Sequence, residues 1–196
     1  MAGLQWSTVI ILPGLTASGA ALLFAVNAWC LDGKGMVWRE TLPVSAADVF
    51  AARATVIAEC MVAVSGVTVL LAVVRNGLPP LVTGRCVRAC WLVVVLQILA
   101  TTMTWSICAP YSVDLSSPRA TPAPHASMAG YAGKLSLATT MTALLFTGVS
   151  ATPFAWLPLA VAVPFVLWSL ARLRRARRRW LAPAERARVV LTVAAV

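Results

Sequence analysis

The chain has 196 residues, 60% of them hydrophobic, with a mean hydropathy of +0.86 and a formal net charge of +10. A soluble domain carries about 25% charged residues, whereas this chain carries 11%, so its apolar surface exceeds what its own core can hide and lipid must cover it. That excludes a soluble globular domain, and because eight of the sixteen Lys and Arg fall within 172–188, the basic balance reads as a topology signal with anionic-lipid contact, not as a nucleic-acid surface.

Residues 1–31 carry no charge. Without a basic n-region this is not a signal peptide, and it predicts one membrane helix over about 4–31, bent near Pro13. Trp6 and Trp29, near its ends, suit the two membrane interfaces. The next stretch, 32–53, is charged and contains glycine. It predicts a cytoplasmic loop followed by a helix start. Pro43 stops any helix arriving from upstream. Ser45 is a candidate N-cap, with Asp48 three residues on to complete a capping box and Val44 and Val49 at the positions of a hydrophobic staple. A helix therefore begins at about Ala46.

Charge-free runs place the second span at about 54–74, between Arg53 and Arg75, and the third at about 89–109, between Arg88 and Asp114. The segment 108–134 is rich in Pro, Ser, Ala and Gly and fits no regular core element. Residues 135–171 form a charge-free run of 37. As one helix it would be about 55 Å long, well beyond a hydrocarbon core of about 30 Å. Thr152-Pro153 breaks it near the middle, giving crossings at about 134–150 and 154–171 joined by a tight turn; a crossing plus a re-entrant segment is the competing reading. The basic tail 172–196 holds RLRRARRRW, then Pro183 at a helix first turn, then an apolar end too short to cross a bilayer. It predicts an interfacial helix on the cytoplasmic leaflet.

The fold class is thus all-α integral membrane, with about five transmembrane helices in 1–171. With five crossings, thirteen Lys and Arg share a side against three; with four, the split is eleven against five. Five crossings satisfy the positive-inside rule better and make the 32–53 loop and the C-terminus cytoplasmic. The N-terminus is then neutral and outside, which points to an upstream part missing or carried on another chain. Cys30 and Cys108 are expected nearer the cytoplasmic face.

Few residues offer chemistry. The five cysteines form no disulfide framework. Cys86 and Cys90 are spaced i, i+4, but the lone histidine, His125, lies in a distant loop, so no metal or haem site is expected. Glu59 is the sole acid inside a span, a functional candidate by default although only six residues from Arg53. Gln97, in the third span, and Asn27, near the end of the first, read as helix-to-helix hydrogen-bonding residues or as the lining of a path. The hexamer LATTMT occurs at 99–104 and 137–142; a functional repeat would turn both copies to a shared interface. No phosphate-binding G-x-x-x-x-G-K-[ST], no G-x-S-x-G and no paired carboxylates occur. No catalytic residue is expected, and any energy source must come from a partner.

Three stretches carry a resemblance. NAWCLDGKG at 27–35 looks like an Asn and bulky residue followed by Asp-Gly-x-Gly as a helix leaves the membrane. TLPVSAADVFAAR at 41–53 looks like a Leu-Pro-[Val/Leu]-Ser block leading into a helix with Arg or Lys. WSICAPYSVDLSSP at 105–118 is similar to a span ending in Ser, then Pro, then a polar loop. In this order and spacing they resemble the membrane permease component of ABC-2-class exporters. The resemblance implies that 32–53 couples to a separate ATPase subunit through Asp32, Gly33, Gly35, Leu42, Pro43, Ser45 and Arg53. It also implies ATP and Mg on that subunit with no cofactor in this chain, a second permease chain as partner, and a plasma-membrane location. The alternative is a non-transporting membrane scaffold or accessory subunit; an intramembrane enzyme or cofactor carrier is a third class.

Overall fold

Helix boundaries follow from local stop and start signals in some places and from tertiary hydrogen bonds in others. A computed structural model describes residues 5–113 and 124–195; the expected loop residues 114–123, Asp114 among them, lie outside the described residues. Those described form helices without strands. Helix α1 covers Trp6–Val9 and α2 covers Leu12–Phe24. The helix breaks at Ile10-Ile11 and Pro13 sits in the first turn of α2, where its missing N–H costs nothing, so the expected bend is present.

The first helix stops at Phe24 rather than 31. Residues 25–29 turn and Cys30–Asp32 form a 3-10 helix. Groups at and beyond the end of the third long helix bond here: Asn27 Nδ2 donates to the Tyr111 backbone carbonyl at 2.8 Å, and the Ala28 N–H donates to Ser106 Oγ at 2.8 Å. The second bond satisfies a backbone N–H that a continuing helix would have paired. A short helix α3, Gly35–Glu40, follows.

Helix α4, Ala46–Asn76, begins at the expected residue. Ser45 Oγ accepts from the Asp48 N–H at 3.1 Å and donates to Asp48 Oδ2 at 2.6 Å. The carboxylate thus meets the cap's hydroxyl instead of its backbone N–H. Val44 is exposed and Val49 half-buried. At the other end Gly77, with φ of +74°, supplies its N–H to the Val73 carbonyl at 2.8 Å, a conformation that favours glycine.

The remaining helices are longer than the charge-free runs. Helix α5, Leu81–Cys108, starts two turns early, right after Pro79-Pro80, and includes Arg85 and Arg88. Arg85 Nη1 donates to the Ala155 carbonyl at 2.8 Å; its long stem lets a cation sit in the helix and still reach a polar end. Helix α6, His125–Ser150, includes 125–134, which read as loop from composition. Tertiary bonds override that composition: Tyr131 is buried with its hydroxyl 2.7 Å from Thr102 Oγ1, and Ser127 Oγ lies 2.7 Å from the Tyr111 hydroxyl. Residues 151–156 form the expected turn. Helix α7, Leu157–Leu181, then runs straight through the arginine-rich segment, so nothing separates the last span from the tail at 171. Neither Pro nor Gly lies between Pro164 and Pro183 to stop it. Helix α8, Pro183–Ala194, starts at the expected proline. Its apolar face is not given to lipid: Val189, Val190 and Val193 are buried against the protein, chiefly on α3 and α7.

Four helices are long and apolar enough to cross a membrane: Trp6–Leu23, Ala46–Asn76, Leu81–Cys108 and Leu157–Leu181. Helix α6 is comparably long but is not among them. Helix α5 is the central post, packed on α2, α4, α6 and α7. Ser18 on α2 meets Thr139 on α6 at 3.1 Å, and Trp91 Nε1 donates to Ser65 Oγ on α4 at 2.7 Å. By contrast the outer faces of α4 and α7 carry bare apolar side chains such as Leu71, Val74, Leu167 and Trp168, which suit lipid.

Candidate functional site

The 32–53 stretch and the last two helices meet at one end of the bundle. Gly33, with φ of +45° and ψ of −131°, turns the chain out of the 3-10 helix. Only glycine adopts that conformation cheaply. The turn leaves the Asp32 carboxylate between two guanidiniums: Arg39 Nη1 lies 2.6 Å from Oδ2, and Arg53 Nη2 pairs with Oδ1. All three side chains are about one-fifth exposed. Both arginines also lie over the Trp29 ring, each 5.4 Å from its centroid.

Trp29, expected near one end of the first span, is fully buried within the protein. It stacks on Trp180 of α7 with centroids 4.2 Å apart and an interplanar angle of 7°. Trp180 Nε1 in turn donates to the Ala46 carbonyl in the first turn of α4 at 2.8 Å. Arg39 is 5.8 Å from the Trp180 ring, so a cation rests against both indoles. Helix α8 closes the outside: Arg186 pairs with Glu40 of α3 at 3.1 Å, and Arg188 donates to the Ile107 carbonyl at the end of α5 at 2.8 Å. Trp29 Nε1 and Arg39 Nε and Nη2 are buried and make no hydrogen bond among the described residues.

The expected coupling residues therefore divide. Asp32, Gly33 and Arg53 belong to the fixed base. Gly35, Leu42, Pro43 and Ser45 are exposed, and Trp38, Leu42 and Val44 form a bare apolar tip. Beside it lies a shallow cavity of about 360 Å³ lined by Arg39, Val44, Asp48, Arg53 and Val56 among others. Sequence reasoning missed Arg39, Trp29 and Trp180 as partners. The rhythm of a sequence does not reveal a stack between residues so far apart.

The intramembrane polar candidates stay separate. Gln97 and Thr142 exchange bonds, Nε2 to Oγ1 at 3.0 Å and Oγ1 to Oε1 at 3.2 Å. Asn27 pins the 25–29 turn. Glu59 is exposed on α4 and has no hydrogen-bond or ion-pair partner among the described residues. The LATTMT copies both feed the α5–α6 interface, through Thr102 and Thr142, but at non-equivalent positions; Leu99 is buried and Leu137 exposed. The repeat is therefore not a structural symmetry. Cys90 Sγ faces the Ile10 carbonyl at 3.8 Å, and no cluster of three or more metal-ligating side chains occurs among the described residues. Cys108 is exposed, whereas Cys30 is buried and a poor labelling site. No family model, curated protein or solved structure matches the chain.

Proposed function

We propose that this chain is a membrane-spanning permease subunit of an ATP-driven ABC-2-type exporter, coupled to a separate ATPase through the 32–53 loop. The observation that carries the reading is a bare tip on a rigid base. Leu42, Pro43 and Val44 protrude, while the Asp32–Arg39–Arg53 cluster and the Trp29–Trp180 stack fix what lies behind them. Ser45 caps α4, a helix of 31 residues. A push on the tip is thus delivered to the start of a helix about 46 Å long. The chain has no phosphate-binding loop, so ATP and Mg belong to the partner and this subunit is not itself an enzyme.

In this reading α2, α4, α5, α6 and α7 make five crossings of the plasma membrane. The basic end, with Arg39, Arg53 and the α7 arginines, faces the cytoplasm, and a second permease chain completes the path. A non-transporting scaffold is the second reading; the burial of the α3 face under α8 favours it, because part of the loop surface is already occupied.

The test is purification of the tagged chain from its native membranes. A stoichiometric P-loop ATPase is expected, with ATP hydrolysis stimulated by this chain. Leu42→Glu and Val44→Glu, both at exposed positions, should abolish that stimulation while leaving the melting temperature within about 2 °C, as surface changes do. An intact complex without an ATPase ends this reading in favour of the scaffold.

A further inference from the structure

A groove runs down the outside of the bundle between α6 and α7, floored by α5. These two helices follow each other in sequence yet barely touch beyond their connecting turn, so the groove stays open. It holds one cavity walled by all three helices, and a second cavity between α5 and α7 adjoins it at Arg172. The first, about 370 Å³, is lined by Leu145, Phe165 and Trp168, with Gln97, Thr101 and Arg172 among its polar residues. The second, about 190 Å³, is lined by Thr104, Arg172, Arg175, Ala176 and Arg179.

The charge at its mouth is built, not scattered. Positions 172, 175 and 179 share a face of α7, as residues three and four apart do. Arg172 Nη1 donates to Thr101 Oγ1 at 3.3 Å, and Arg179 Nη1 contacts Cys108 Sγ at 2.9 Å, so α5 holds both side chains in place. None of the three has a carboxylate partner among the described residues. Arg174 and Arg177 lie about 200° and about 140° around the helix from Arg172, since each residue advances about 100°, and neither they nor Arg178 line either cavity. Depth also fits. Counted from Leu157, Arg172 and Arg179 lie about 22 and 33 Å along α7, which brackets the inner edge of a hydrocarbon core of about 30 Å. The apolar cavity runs below them at acyl-chain depth.

We propose that this groove binds one anionic phospholipid, its phosphate against Arg172, Arg175 and Arg179 and one acyl chain along Leu145, Phe165 and Trp168. Guanidinium forks match phosphate oxygens in geometry and charge. An uncompensated triad at headgroup depth above an apolar slot fits a lipid better than a free anion, which would leave the slot unfilled. The inference needs only a membrane-embedded chain and does not depend on the exporter reading.

The full chain, delipidated in detergent and titrated with phosphatidylglycerol, is followed by native mass spectrometry. A one-to-one adduct is expected, with phosphatidylcholine much weaker and millimolar inorganic phosphate unable to displace the bound lipid. The triple variant R172Q/R175Q/R179Q should lose the adduct, while R174Q/R177Q/R178Q, which removes equal charge from positions outside the cavity lining, should keep it. Arg175→Gln alone, at an exposed residue without a hydrogen bond among the described residues, should weaken binding about fivefold and covers the case in which the triple variant fails to fold. Equal loss in both triple variants, equal retention of phosphatidylcholine, displacement by inorganic phosphate, or an unchanged affinity in Arg175→Gln would each overturn the proposal.

Discussion

Asp32 neutralises two arginines that would otherwise face each other across an indole. Arg39 and Arg53 both lean on Trp29, and the carboxylate bridges them from the side. Like charges at such range repel, and partial burial weakens water's screening of them. Removing the acid therefore costs more than the bonds it makes, because two cations stay behind. With the side chains about one-fifth exposed, Asp32→Ala is expected to lower stability by about 2 kcal/mol. Glu185 supplies the internal control. Its pair with Arg188 has both side chains nearly half exposed, so Glu185→Ala should change stability by less than about 0.5 kcal/mol. Thermal unfolding of the two variants in the same detergent checks the contrast; equal shifts would mean that Asp32 is no more than a surface charge. Glu59 shows the opposite situation. It lies exposed without a partner among the described residues, six residues beyond Arg53 on the same helix.

Each helix shows which signals a single sequence carries. The start of α4 was legible because its cap, Ser45 with Asp48, is local: the hydroxyl accepts from the Asp48 N–H and donates to the carboxylate of the same residue. The Thr152-Pro153 turn and the Pro183 start were legible for the same reason, since proline punctuates the chain wherever it stands. The end of α2 was not legible. No proline or charge follows Phe24 until Asp32, and past the helix end Ser106, far along the chain, takes the Ala28 N–H while the Asn27 side chain bonds the Tyr111 carbonyl. The continuity of α7 was misread because charge density marks where water begins, not where a helix ends. The base of the candidate site shares this limit. Asp32, Gly33 and Arg53 could be named from sequence, whereas Arg39 and the two tryptophans could be placed only by the packing of α7 and α8. Gly33 tests how much the base depends on one backbone angle. Its φ of +45° with ψ of −131° is open only to glycine, and no atom crowds the place a Cβ would take. Gly33→Ala should therefore cost about 1–3 kcal/mol through backbone strain alone. Gly35→Ala, at a helical position with equally open space, should cost nothing or stabilise slightly. Paired unfolding curves decide it, and a cheap Gly33→Ala would mean that the turn has another accessible conformation.

At the scale of the molecule, α2, α5 and α7 run one way and α4 and α6 the other. Contacts at matching heights show it: Ile10 with Cys90 and Ala28 with Ser106 for α2 and α5, Thr101 with Arg172 and Cys108 with Arg179 for α5 and α7, and Gln97 with Thr142 against Thr102 with Tyr131 for α6. One end therefore gathers Arg39, Arg53 and the α7 arginines, and the other gathers Arg75, Arg85 and Arg88. A bilayer reads that imbalance as direction, because cytoplasmic segments keep their Lys and Arg. The two ends can be told apart chemically. Cys108 is exposed at the end of α5 on the richer side, and Leu78 stands 85% exposed in the α4–α5 turn on the poorer side. In a Cys60→Ser background, which removes the other exposed thiol, an impermeant maleimide should modify Cys108 in inverted vesicles and spare it in intact cells. With Cys108→Ser and Leu78→Cys the pattern should reverse. The distribution of charge requires opposite answers from the two sites, so labelling of Cys108 from outside would turn the Leu42–Val44 tip away from cytoplasmic ATP. No ATPase could then grip it, and the exporter reading would fall while the lipid groove kept its geometry.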